Sequence, residues 1–161
     1  MSAEALSASI EKLLKLHKSL YELAVKKTDI IKTGDMEALD LMLKDEQTHI
    51  AAIEQTEKER QKAARAMVPH VEQPTVSDCL ESFEAVEQDR LSKMVNELSL
   101  IVHSLKEKNY LNQQLIHQSL QFVHFSMGLL RPQPTNINYG PPSKNQKPSE
   151  HQSSSVFNSE A

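Results

Sequence analysis

The chain has no tryptophan, three glycines, one cysteine and only 4% aromatic residues in 161. Each scarcity excludes something. A β-sandwich or an α/β enzyme needs glycine-rich turns and strands stocked with aromatic and β-branched side chains, so both are disfavoured. A helical core needs neither, because aliphatic side chains alone can fill it. The lone Cys79 has no partner for an internal disulfide, which accords with a reducing compartment. A basic excess is missing as well: 18 Lys and Arg stand against 22 Asp and Glu, a formal net charge of −4. That balance gives no electrostatic pull toward nucleic acid or an anionic membrane. Met1-Ser2-Ala3-Glu4-Ala5 also lacks the basic run and apolar block of a signal peptide. A cytoplasmic, all-α protein is expected.

What is present has helical period. Leu6, Ile10, Leu13, His17, Leu20, Ala24, Lys27 and Ile31 alternate by four and three, with Leu16, Leu23 and Ile30 alongside. That arc is wide enough for a bundle and predicts a helix from about Ser2 to Thr33. Gly34 can end it in the left-handed conformation, and Asp35 can cap a successor. A tight antiparallel hairpin follows, its second helix running from Met36 to about Met67 and burying Leu39, Leu43, Ile50, Ile53, Ala64 and Met67. The run Glu57-Lys58-Glu59-Arg60-Gln61-Lys62 reads as solvated. Pro69 and Pro74 then break the pattern. With Ser77 as cap, one long third helix is expected to reach Leu130, kinked or split near Asp89. Its first part is acidic, and Leu91, Met94, Leu98, Ile101 and Leu105 then resume heptad spacing. After Arg131, five prolines in a Ser-, Asn- and Gln-rich stretch predict a disordered tail. The expected organisation is a helical domain over 1–130 and a tail over 131–161.

The most informative segment is 109–130, which carries no charge over 22 residues. Ten of the 22 are Asn, Gln, His or Ser, too many for a membrane span. On a helical wheel Leu111, Leu115, Phe122, Phe125 and Leu129 form one stripe, and Ile116, Leu120, Val123, Met127 and Leu130 a second. Only Asn112, Ser119 and Ser126 lie between them. One stripe can pack on the hairpin, and the other then has no intramolecular partner. A wide apolar strip without charge has the composition of an interface centre. The competing reading is that a three-helix bundle simply buries both stripes.

Chemistry is not evident. His103, His117 and His124 lie at multiples of seven residues, about 10 Å or more apart along a helix, too far to share a metal ion. Cys79 sits among acids that would raise its pKa. No phosphate loop, His-Glu-x-x-His or Gly-x-Ser-x-Gly occurs. No enzyme activity, metal or cofactor is expected.

The stretch Leu105-Lys106-Glu107-Lys108-Asn109-Tyr110-Leu111-Asn112-Gln113-Gln114-Leu115-Ile116, with Gln118-Ser119-Leu120-Gln121-Phe122-Val123, resembles the third helix of FlgN-type flagellar export chaperones of Bacillus-like bacteria. The turn Thr33-Gly34-Asp35-Met36-Glu37-Ala38-Leu39 fits the same family, and the resemblance spans roughly 5–139. It implies binding to the C-terminal helical region of hook-associated proteins, which join hook to filament. It further implies that such subunits are kept from assembling early and are brought to the flagellar export gate. The residues expected to contact the client are Leu115, Ile116, Leu120, Phe122, Val123, Met127 and Leu130, with the client-facing stripe left open. By position, Tyr139 is the candidate for docking on the export gate component. The alternatives are a self-associating structural coiled coil and an adaptor that tethers other export components. Against the coiled coil stand the break at Pro69 and Pro74 and the polar seam residues His17 and Lys27.

Overall fold

The computed structural model describes residues 2–131. Helix α1 spans Ser2–Thr33 and α2 spans Met36–Met67. Between them Gly34 adopts φ 71° and donates its N–H to Ile30 O at 3.0 Å, while the Asp35 carboxylate accepts from Ala38 N at 2.9 Å. The turn forms as the residues predict. A Cβ at Gly34 would meet no atom within 4 Å, so only the backbone angle resists substitution. Gly34→Ala is therefore expected to lower stability by about 1–2 kcal/mol, read as a shifted urea midpoint with unchanged slope.

The hairpin is antiparallel. Lys12 faces Glu59, Ser19 Oγ bonds His49 Nε2 at 2.8 Å, and Lys27 reaches Glu46. Along α1 the buried set is Leu6, Ser9, Ile10, Leu13, Leu14, Leu20, Ala24 and Thr28. This arc is broad because α1 is flanked by two helices. The polar seam residue Lys27 is explained by an ion pair that is almost wholly withdrawn from water: its Nζ lies 2.6 and 2.8 Å from the two Glu46 oxygens.

Two parts of α2 depart from expectation. Leu43 and Ile50 are exposed at 43% and 47%, and Leu39 and Ile53 are half-buried. Their helical spacing is correct, but the third helix does not come alongside this part of α2 to cover them. In the charged run, Arg60 grips Glu57 with two bonds of 2.7 and 2.8 Å and is half-buried rather than free. That bond from Arg60 is the main cause holding the Glu57 carboxyl below its usual range.

The segment after Pro74 is also read differently by the structure. Thr75, not Ser77, is the cap. It forms a reciprocal capping box with Asp78 and starts a short helix α3, Val76–Cys79, followed by a 3₁₀ turn over Leu80–Ser82. The chain then straightens at Phe83 and Glu84, and the long helix α4 runs unbroken over Ala85–Leu130. The division thus falls at Phe83–Glu84 and not near Asp89. Thr75 donates its hydroxyl (2.7 Å) and backbone N–H (2.8 Å) to Asp78, which holds that carboxyl below its ordinary value. A depressed folded pKa means the cap stabilises α3 above the ordinary value and is lost as pH falls through the folded one. An NMR titration should place the Asp78 midpoint below about 3.9, and Thr75→Val, which removes the hydroxyl but keeps the backbone N–H, should raise it part of the way back.

Helix α4 runs parallel to α1. Arg90 faces Glu11, Lys18 pairs with Glu97, and Thr28 bonds Asn112. Two apolar clusters result. One joins Leu6, Ile10, Ala63, Ala64, Val68, Cys79 and Leu91; the other joins Leu20, Ala24 and Leu105.

Candidate functional site

The line of closest approach between α4 and α1 passes through Leu91, Leu105 and Asn112, the three buried residues of α4, at heptad spacing. Continuing it by sevens gives Ser119 and Ser126. These are the residues that lie between the two apolar stripes. The stripes are therefore the two shoulders of one face, not an inner and an outer face.

Asn112 is where that face leaves the bundle. Its Nδ2 donates to Ala24 O at 2.9 Å and its Oδ1 accepts from Thr28 Oγ1 at 2.6 Å, deep in the α1–α4 contact. Five residues beyond Thr28, α1 ends at Thr33, whereas α4 continues to Leu130. From Ser119 onward roughly 18 Å of helix extends past the hairpin turn. Leu120 is 54%, Phe122 70% and Leu130 82% exposed, and Ile116, Val123 and Met127 are also open. Leu115 alone among the seven candidates is half-buried. Both shoulders are uncovered here, so the reading in which the bundle buries both does not hold. The Asn112 anchor was not foreseen from the sequence; a polar residue in line with Leu91, Leu98 and Leu105 was its signal.

Two hollows adjoin this helix. One, of about 380 Å³, lies at the hairpin tip between Ile30, Met36 and Leu39 on one side and Ile116, Leu120 and Val123 on the other. A second, of about 210 Å³, sits lower, between Glu46 and Ile50 of α2 and Asn109, Gln113 and Ile116 of α4. Neither gathers nucleophiles or paired acids. Among the described residues no group of three or more His, Cys, Asp or Glu is placed to hold a metal ion. No helix among them is long and apolar enough to cross a membrane. Cys79 is buried under Ala64, and burial, ahead of Asp78, raises its thiol pKa. Tyr139 and the rest of the segment read as a disordered tail, 132–161, lie outside the described residues.

The model of the family described as FlgN protein matches residues 1–147. The chain belongs to the FlgN family. A Bacillus subtilis (strain 168) relative, named "Uncharacterized protein YvyG", is 35% identical over 139 residues, covering 86% of this chain and 87% of that protein. No solved structure matches significantly. FlgN membership points to a flagellar chaperone role, and in this FlgN chain most of the exposed large apolar side chains among the described residues lie in the uncharged segment 109–130 of α4.

Proposed function

We propose that this FlgN protein is a cytoplasmic, non-enzymatic export chaperone that binds the C-terminal helical region of flagellar hook-associated proteins. It keeps them from assembling before export and delivers them to the export gate. The observation that carries the proposal is the end of α4, Ser119–Leu130, apolar on two shoulders, free of Lys, Arg, Asp and Glu, and largely uncovered by its own bundle. Client helices that assemble by burying an apolar face need a like surface to cover it beforehand. Leu115, Ile116, Leu120, Phe122, Val123, Met127 and Leu130 are proposed as the client contacts. Tyr139 is proposed to dock on the gate component. Ser119 and Ser126, standing where leucines stand lower in the same line, leave room for a partner helix to approach closely.

Co-expression with the C-terminal segments of the hook-associated proteins from the same genome, followed by light scattering, tests this. A one-to-one complex that keeps an otherwise aggregating client in solution is expected. A large self-assembled species that ignores the client would favour a structural coiled coil instead.

A further inference from the structure

Helix α1 packs along both α2 and α4, while α2 and α4 scarcely meet. A cleft therefore runs between them with α1 as its floor. At one end the chain fills this cleft itself: Val76, Cys79, Leu80 and Phe83, from α3 and the turn after it, settle on Leu6, Ala64 and Leu91. Toward the hairpin tip no described segment does so. There the two hollows lie on either side of Ile116, which lines both, and Ile50 of α2 stands exposed at the edge. Asn109, also lining the lower hollow, carries the one buried side-chain polar atom among the described residues that lacks a hydrogen-bond partner, its Oδ1. Its neighbours in the cleft are satisfied, Lys27 by Glu46 and Asn112 by Thr28 and Ala24.

We infer that this cleft is the second half of the client site, taking an amphipathic helix whose apolar face carries one side-chain hydrogen-bond donor for Asn109. The inference rests on the chaperone reading above and adds α2 to a site otherwise confined to α4. A helix is the occupant that fits. Both walls are helices whose backbone groups bond internally, so an extended peptide would find no ladder to pair with and would bury its own amides unpaired. A helix brings its backbone already satisfied, as α3 does at the other end. From Asn109 to Val123 the α4 wall is about 21 Å long, four turns. The buried acceptor then selects for Ser, Thr, Asn, Gln or Lys at one position of the client's apolar face.

The test is a titration of the full chain with the C-terminal segments of the hook-associated proteins, comparing wild type with Ile50→Glu, Asn109→Leu and Leu120→Asp. Ile50→Glu is expected to weaken binding at least tenfold with an unchanged melting curve, since the position is exposed in the free protein. Asn109→Leu should weaken it about tenfold by stranding the client's donor. Full affinity in Ile50→Glu, with loss in Leu120→Asp, would confine the client to α4 and overturn the inference while leaving the chaperone reading intact. Unchanged or tighter binding in Asn109→Leu would remove the donor requirement. Failure of wild type to bind any segment would bring down both.

Discussion

Leu120→Asp and Val123→Asp, made singly, are expected to weaken client binding by two orders of magnitude or more while leaving helicity and melting temperature where they are. Both side chains are about half exposed in the free chain, so a carboxylate there stays hydrated and costs within about 0.5 kcal/mol of stability. In the complex the same carboxylate would be covered by an apolar client helix, with no Lys or Arg in 109–130 to pair with it and only the exposed Lys32 of α1 lining the same hollow. An unpaired buried charge costs several kcal/mol, and about 1.4 kcal/mol is a factor of ten in affinity. Circular dichroism and calorimetric titration on the same samples separate the two effects. Retained affinity in both variants would remove this end of α4 from the site.

The second large effect concerns folding. Lys27→Met should destabilise the protein by about 3 kcal/mol, because it leaves the Glu46 carboxylate withdrawn from water without its partner. The double change Lys27→Met with Glu46→Leu should recover most of that loss, since an apolar pair of similar volume has no charge to desolvate. Urea unfolding of the single and double variants measures the difference. A single variant as stable as wild type would mean that the Glu46 carboxylate finds water easily when unpaired.

Which parts of this were legible in the residues follows from what a sequence encodes locally. The hairpin was, because Gly34 and Asp35 carry the turn chemistry themselves and the four-three spacing of Leu6, Ile10 and Leu13 needs no tertiary information. The cap at Thr75 is encoded too, as Thr75 three residues before Asp78, but Ser77 beside Asp78 is an equally good cap by residue type alone. The break at Phe83–Glu84 has no glycine or proline to announce it, and nothing local distinguishes it from the helix that follows. Exposure of Leu43 and Ile50 was not readable at all: periodicity gives the direction of an apolar face, not whether another helix stands opposite. Lys27 looked like a defect in the seam until Glu46 was placed beside it by the hairpin register.

The same limit shaped the reading of the site. Wheel positions identified the apolar residues of 109–130 and divided them into two stripes. They could not reveal that α1 ends beside this segment, so that the division runs along the helix and not around it. Below Asn112 the face is packed; above Ser119 both shoulders are open.

The central claim is that Ser119–Leu130 is a helix held in readiness for a partner and covered by it. Hydrogen exchange by mass spectrometry, on the free protein and on its complex with a hook-associated C-terminal segment, tests this most directly. The free end of α4 has little tertiary packing beyond the hairpin-tip hollow and, at twelve residues, is too short to be robust alone, so its amides should exchange much faster than those near Leu91 and Leu105. In the complex, protection should rise over 115–130. Protection that appears only outside 115–130, or an unchanged pattern despite binding, would contradict the account.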